Sequence, residues 1–188
     1  NQTQSDTQTM TIKYDLAITE TRTRKTVVAQ GFVTQINVTV ANQGAIPNTS
    51  LKIAVYANAT LIHTQTAMSL SNGTTTTLTF YWNTTGFAKG NYTITAYALP
   101  VSGETDMIDN TFSDAWVIVT MPGDITGSPN GYPDGICDMK DIRFVAKRFG
   151  IDPSNTVLWD PNADVIEDNF IDMKDIRAVA KNFGKTYP

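Results

Sequence analysis

The chain of 188 residues has one cysteine and one histidine, Cys137 and His63, which leaves little material for catalysis. One cysteine excludes an intramolecular disulfide, and a cysteine–histidine nucleophile pair would have to join residues of two different domains. Zinc-ligand spacing, a phosphate-binding glycine loop and a G-x-S-x-G element are also missing from the sequence. We therefore expect no enzymatic activity, no catalytic residue and a buried apolar role for Cys137.

A basic excess is missing as well, since the formal net charge is −4. That charge argues against a nucleic-acid partner and against an anionic membrane surface. Residues 121–188 carry eleven acidic residues, ten of them Asp, whereas residues 1–120 carry seven acidic and six basic residues. Because Glu has the better helix propensity, the Asp bias predicts loops that need short carboxylates close to the backbone.

Long apolar runs are missing too, so we expect neither a membrane span nor a signal peptide and interpret the chain as a mature, processed form. The first half holds seven Asn-X-Ser/Thr sequons instead, all before residue 94. Although scarce cysteine is typical of cytosolic proteins, seven sequons favour a glycosylated extracellular or cell-surface protein. The predicted glycosylation sites are Asn1, Asn37, Asn48, Asn58, Asn72, Asn83 and Asn91.

Residues 14–120 alternate apolar and polar side chains and are rich in Thr, Val, Ile and aromatic residues. This pattern, interrupted by turn residues at regular intervals, is typical of short β-strands. About seven strands in such a length predict an antiparallel β-sandwich of immunoglobulin-like type. The predicted strands include FVTQINVTV (32–40), LKIAVYA (51–57), TLTFYW (77–82), NYTITAYA (91–98) and WVIVT (116–120).

Several of these motifs resemble one family. VTVANQG, LKIAVYANATLIHTQT, LTFYWNTTG, GNYTITAYA and GETDMIDNTFS follow the order of an adhesion-related, CARDB-type immunoglobulin-like domain over roughly residues 14–120. The resemblance implies a non-catalytic spacer or adhesion module of prokaryotic, in particular archaeal, surface proteins. Trp82 and Trp116 are expected in the sandwich core or its rim, with a carbohydrate-stacking platform as the alternative. Residues 1–13 are expected to be either a frayed terminus or a strand donated to a neighbouring sheet.

The second half contains an internal repeat. DMKDIRFVAKRFG (138–150) returns as DMKDIRAVAKNFG (172–184), an offset of 34 residues with eleven of thirteen positions identical. Apolar residues recur at helical spacing in both copies, so each copy predicts a helix that Gly150 or Gly184 ends. MPGDITG (121–127) is predicted to be the joint between the sandwich and this second domain.

Each predicted helix follows a loop with acidic residues at positions one, five, nine and twelve. Ca²⁺ takes six to eight oxygen ligands, so a chain that binds it must wrap around one point. The second loop has Asn169 at position six, where the backbone must be left-handed. Ile166 at position three has no side-chain oxygen, so the second loop is predicted to be the weaker calcium site. Position one of the first loop is Asp124, with six residues inserted before position five. The alternative is that these Asp residues only cap helices and form turns. The predicted ligands of two calcium ions, with Ile136 and Phe170 offering backbone carbonyls, are Asp124, Thr126, Asp134, Ile136, Asp138 and Asp141 in the first loop and Asp164, Asp168, Phe170, Asp172 and Asp175 in the second.

Two tandem loop–helix units, each without a preceding helix, resemble a type I dockerin over about residues 122–188. The resemblance implies two bound Ca²⁺ ions, folding coupled to their binding, and docking to a cohesin module through residues repeated in both copies. Met-Lys pairs stand where dockerins of cellulose-degrading complexes favour small hydroxyl residues, which argues against a cellulosomal partner. The implied docking residues are Met139, Lys140, Ala146, Lys147, Met173, Lys174, Ala180 and Lys181.

Together these patterns predict a mainly β protein with a small α domain. It would comprise an N-terminal extension (1–13), an immunoglobulin-like sandwich (14–120) and a duplicated calcium loop–helix domain (121–188). The predicted function is structural assembly by a non-enzymatic, extracellular calcium-binding glycoprotein whose partner is another copy of itself, as in a surface filament. Two alternatives stay open: an adhesin or scaffold module that docks a separate cohesin-like protein, and a carbohydrate-binding accessory module.

Overall fold

The structure, a computed structural model, describes residues 14–187; the predicted N-terminal extension and the sequon at Asn1 lie outside this range. No helix in these residues is both long and apolar enough to cross a membrane. The strands that the structure describes are β1 Leu16–Thr23, β2 Val27–Ala29, β3 Val33–Asn42, β4 Asn48–Ala57, β5 Thr60–Leu70, β6 Thr75–Asn83, β7 Gly90–Ala98 and β8 Thr111–Thr120. They are followed by the helices α1 Met139–Ala146 and α2 Met173–Ala180.

The strands form two sheets that face each other, in the orders β1-β3-β6 and β2-β8-β7-β4-β5. Neighbouring strands are antiparallel except for β2, which runs parallel to β8 from Val27↔Ile118 to Ala29↔Thr120. The reason is that β1 and β2 lie in different sheets, so the turn between them carries the chain across the sandwich. The prediction of an antiparallel β-sandwich is confirmed, with one parallel pair at a sheet edge.

The core between the sheets follows the period-two pattern of the sequence. Ile36, Val38 and Val40 on β3 are fully buried, and Val33 on the opposite face is 41% exposed. Trp82 is 1% exposed and meets Phe87 edge-on, with ring centroids 5.0 Å apart. A side chain buried this deeply cannot serve as a carbohydrate-stacking surface, so that alternative is wrong for Trp82. Trp116 lies at the rim, edge-on to Tyr132 at 5.4 Å.

The C-terminal unit has its own small core, to which the joint, both loops and both helices contribute apolar residues. Cys137 and Ile171 come from equivalent positions of the two loops, and both are fully buried. The predicted joint belongs to this core, because Met121 and Ile125 are 6% and 7% exposed. A methyl group added at Gly123, where φ is +94°, would lie 2.6 Å from the Cys137 sulfur, so only glycine fits there. Both helices end at Ala, four residues before the predicted glycine stop, and a turn fills the interval.

Candidate functional site

Both copies of the repeat begin their helix in the same way. The Asp138 side chain caps α1 by accepting from the Lys140 amide at 2.6 Å, and the Asp141 carboxylate accepts from the Asp138 amide at 2.8 Å. The second copy repeats this reciprocal pair at 2.6 Å and 2.9 Å. Each helix N-terminus thus has two of its otherwise unpaired amides satisfied by carboxylates, which also suit the positive end of the helix dipole.

Position one holds each loop closed. In the second loop the Asp164 carboxylate accepts from the amides of Asp168 and Asn169, both at 3.1 Å. Asn169 has φ +67°, the left-handed conformation expected at position six. In the first loop the Asp124 carboxylate accepts from the amides of Asp134 and Gly135, at 3.2 and 3.1 Å. The six inserted residues therefore leave and return without changing how the loop closes.

Position twelve ties the end of each loop to its start. Oδ1 of Asp141 accepts from the amides of Ile125 and Thr126, at 2.7 and 2.9 Å. Oδ1 of Asp175 accepts from the Ile166 amide at 3.0 Å. Asp124, Asp141, Asp164 and Asp175 are at most 2% exposed. Burial raises the pKa of Asp124, Asp141 and Asp175, and the hydrogen bonds that these carboxylates accept lower it in part.

The carboxylates at positions five and nine of each loop lie close to the ammonium group of one lysine. The Lys140 ammonium lies 2.9 Å from Asp134 and 3.6 Å from Asp138. In the second loop Lys174 lies 2.7 Å from Asp168 and 3.6 Å from Asp172. Each ammonium stands where positive charge is needed between two carboxylates.

The predicted ligand sets therefore lie in two matched loops, and they offer only oxygen atoms. That donor chemistry fits a hard cation such as Ca²⁺. In residues 14–187, however, no three His, Cys, Asp or Glu side chains converge closely enough to hold a metal ion as placed. The Thr126 hydroxyl donates to the Gly131 carbonyl at 3.1 Å. The two calcium ions stay a prediction.

The two copies of the repeat are bonded to each other, which the sequence analysis missed. Gly150 donates its amide to the Ile171 carbonyl at 2.8 Å, and Gly184 donates to the Cys137 carbonyl at 2.8 Å. Cys137 and Ile171 in turn donate to the carbonyls of Lys185 and Ile151, at 2.9 and 3.0 Å. Position eight of each loop is thus paired with the segment after the other copy's helix, so the two loops form one unit. The only signal for this pairing in the sequence was that the residues around both positions are repeated.

The sandwich contacts the second loop through the turn between β1 and β2. The Arg24 guanidinium donates to Oδ2 of Asp164 at 2.7 Å and to the Asn169 side chain at 2.9 Å. Lys25, whose side chain is 5% exposed, donates to the Asp164 carbonyl and lies 3.3 Å from Glu167. Burial lowers the pKa of Lys25, and Glu167 partly offsets that effect. No pattern in the local sequence of the turn predicts this contact.

The equivalent oxygen of the first loop has a neutral partner. Oδ2 of Asp124 accepts from the Thr120 hydroxyl at 2.8 Å, at the end of β8. Thr120 precedes the joint by one residue, so the sandwich reaches both loops: the first through the strand that leads into it and the second through Arg24. The two domains predicted from composition are therefore in direct polar contact.

The implied docking residues are accessible. Met139 and Met173 are each 61% exposed, and they occupy the first position of their helices. Lys140, Ala146, Lys147, Lys174, Ala180 and Lys181 are exposed as well.

The other predicted positions divide into surface and core. Among the predicted glycosylation sites whose side chains the structure describes, all are exposed: Asn37, Asn58, Asn72, Asn83 and Asn91. Cys137 is fully buried, as expected, and burial raises the pKa of its thiol to about 11. His63 is exposed on β5, in the other domain.

The two-sheet architecture places the first part of the chain among the immunoglobulin-like antiparallel β-sandwiches. More narrowly, the chain belongs to the CARDB family, whose model matches residues 13–107. The CARDB domain of PF1109 from Pyrococcus furiosus, solved in complex with di-metal ions, is 30% identical; the match has a TM-score of 0.50 and covers 60% of this chain and 99% of that chain. A domain of a "putative cell surface protein" from Methanosarcina acetivorans is 27% identical, with a TM-score of 0.47, and covers 57% of this chain and 92% of that chain. No curated protein matches the chain.

Proposed function

We propose that this protein is a non-enzymatic, calcium-binding glycoprotein of the cell surface that acts in structural assembly through a dockerin-like C-terminal domain. The matched pair of loops is the observation that carries the proposal. Each loop buries two Asp side chains and holds them on backbone amides. Burying carboxylates is costly unless a cation compensates them, and oxygen-only loops of this layout are suited to Ca²⁺.

The bound ion would supply two positive charges to the carboxylates at positions one, five, nine and twelve. Lys140 and Lys174, whose ammoniums lie against positions five and nine, would compete with it. Calcium binding would therefore release Lys140 and Lys174, which belong to the docking face formed by the implied docking residues of the two helices. This competition would link metal binding to assembly, because the two lysines are free to contact a partner only when calcium occupies the loops.

The CARDB match and the relative described as a cell surface protein support a place at the cell surface. The Pyrococcus CARDB domain, solved in complex with di-metal ions, supports metal binding by the sandwich but does not bear on the C-terminal loops. The partner that we propose is a second copy of the chain. A head-to-tail contact between the docking face and the sandwich of the next copy is heterologous, and such contacts propagate into filaments unless they close.

Sedimentation velocity in excess EGTA and then in millimolar Ca²⁺ tests the proposal. We expect large assemblies only with calcium. The double variant Lys140→Ala/Lys174→Ala should bind calcium more tightly and assemble less, whereas Lys52→Ala, at an exposed position of β4, should behave as the unmodified protein does. A compact monomer in both conditions would exclude self-assembly and leave a separate, cohesin-like partner. If neither loop bound calcium, the proposal would be wrong.

A further inference from the structure

The two described sheets of the sandwich have four outer strands, β1 and β6 in one sheet and β2 and β5 in the other. An outer strand turns a row of backbone N–H and C=O groups away from its sheet, and these groups can pair with another extended chain. Proteins usually block such an edge with charged side chains, with bulges or with a covering segment. The four outer strands differ in whether they have this protection.

Two of the outer strands are protected by charge or by a covering segment. β1 carries Glu20 and Arg22, which form an ion pair, and its register with β3 contains a shift. The C-terminal domain covers β2, because the Asn162 side chain accepts from the amides of Thr26 and Val27, at 3.1 and 3.0 Å. Neither edge is therefore available to another strand.

The third outer strand, β6, is bridged at its middle by a side chain. Gln65 of β5 donates its side-chain amide to the Thr79 carbonyl at 2.7 Å. Thr79 is the fifth of the nine residues of β6. A strand added along β6 would have to displace this hydrogen bond, so the edge of β6 is obstructed as well.

The fourth outer strand, β5 (Thr60–Leu70), has none of these protections. Its eleven residues include no Asp, Glu, Lys, Arg or Pro, and β4 is its only partner among the described strands. The pairing with β4 stays in register from His63 to Met68, which gives a regular edge of six residues. Asn58 and Asn72, the predicted glycosylation sites nearest in sequence, lie in the turns before and after β5. A regular, uncharged edge of this kind is a template for another strand.

We infer that the β5 edge accepts residues 7–12 of a second copy of this chain as an added strand. This segment, TQTMTI, precedes the described residues; it is as long as the regular stretch of β5 and carries no charge. Met10 and Ile12 alternate with threonines, so pairing would place both apolar side chains on one face of the sheet. Threonine and isoleucine also favour strands. The inference rests on the proposed function for its partner, a second copy, and names the surface that this copy uses.

The segment is too short to reach the β5 edge of its own copy. The Ile18 amide donates to the Asp109 carbonyl at 2.8 Å, which holds β1 beside the start of β8. A strand added outside β5 would lie four strand positions from β8, about 19 Å at the usual strand spacing. Ile12 lies four residues before β1, and four residues span at most about 14 Å. The partner is therefore another copy, and the contact is heterologous, so it can propagate.

This strand contact is weak by itself, because an isolated pair of short strands is only marginally stable in water. Calcium-dependent docking is therefore still needed for large assemblies. When the added strand and the docking face join the same two copies, the two contacts together bind more tightly than either contact alone.

The test adds a synthetic peptide of residues 1–13 to the dilute full chain in EGTA and follows hydrogen exchange by mass spectrometry. At a tenfold excess of peptide over its Kd, the outward-facing amides of residues 63–68 should exchange about tenfold more slowly. Protection should saturate at one peptide per chain, and the amides of β6 should not change. The peptide with Thr9→Pro and Thr11→Pro lacks two N–H donors and should give no protection.

A pair of chain variants locates the contact. Thr66→Lys puts a positive charge on the β5 edge and should weaken peptide binding, whereas Thr75→Lys, at an exposed position of β6, is the matched control. The inference is wrong if no peptide binds, if β6 is protected instead of β5, or if the proline peptide protects equally. It is also wrong if β5 exchanges slowly without peptide at every dilution, since its own chain would then cover it. EGTA is present throughout, so these results are independent of whether the loops bind calcium.

Discussion

Replacing Asp141 by Ala should destabilise the C-terminal domain more than any other single change in the two loops. Its carboxylate is fully buried and accepts three backbone amides, from Ile125, Thr126 and Asp138. A hydrogen bond to a charged group contributes about 1.5–3 kcal/mol. The three bonds share one carboxylate, so their contributions do not add fully. We expect a loss of about 3–5 kcal/mol, because each buried amide left without its acceptor costs about 1–3 kcal/mol.

The matched variant is Asp175→Ala, because Asp175 accepts two such amides, from Ile166 and Asp172. We expect about 2–3 kcal/mol for it by the same reasoning. Both losses should appear in EGTA, where only the hydrogen bonds act, and should be resolved by differential scanning calorimetry of the full chain. Calcium at a hundredfold excess over its Kd would add about 2.7 kcal/mol for each occupied site.

Two results would refute this reasoning. If Asp141→Ala and Asp175→Ala lowered the melting temperature equally in EGTA, the count of accepted amides would not set the cost. If calcium raised the melting temperature of each variant as much as that of the unmodified protein, position twelve would not contribute to metal binding in either loop.

Three further predictions concern the rest of the molecule. Arg24→Ala should lower the free energy of unfolding by about 3 kcal/mol, because its partner Asp164 is fully buried, and should let the two domains melt separately. Arg22→Ala is the control and should change little, because Arg22 is exposed; differential scanning calorimetry measures both variants. Cys137 should resist iodoacetamide at pH 8 in the folded protein, as mass spectrometry would show, because burial raises the pKa of its thiol from 9.0 to about 11. The stability that the neutral thiol contributes should be complete below pH 9 and should be lost as the pH rises through 11, as melting curves would show. Trp82→Ala should destabilise the sandwich by about 3–5 kcal/mol in urea unfolding, and an unchanged midpoint would contradict its place in the core.

Much of the sandwich could be predicted from the sequence, because its strands bury one face and alternate over most of their length. The faces of β3, β4 and β6 have the apolar residues that the period-two pattern assigned to them, as at Leu51, Ile53 and Val55, which are all fully buried. The pairing of β2 with β8 could not be predicted. Three residues, Val27–Ala29, carry no usable period, and their partner lies about ninety residues away along the chain. Local pattern does not encode which distant edge a short strand meets.

The same limit applies to the candidate site. The spacing of Asp164, Asp168, Asp172 and Asp175 predicted a loop that wraps one point, and the left-handed Asn169 follows from that spacing. The lysines could have been anticipated, because a residue two positions after an N-cap aspartate can reach back over the loop. The contact from Arg24 could not, since it joins residues 140 positions apart and depends on how the two domains pack.

That packing makes two nearly identical loops chemically different. Oδ2 of Asp124 accepts from a neutral hydroxyl, and Oδ2 of Asp164 accepts from a guanidinium. A fixed positive charge beside position one reduces the attraction of the second loop for a divalent cation, since Coulomb energies in a buried site fall off slowly. The prediction that the second site binds calcium more weakly, which came from Ile166 at position three, therefore gains a second and independent reason. The duplication copied the predicted ligands, and contacts from the sandwich make the two copies differ at position one. In both loops a lysine lies against positions five and nine, but only the second loop also uses the charge at position one to hold the two domains together.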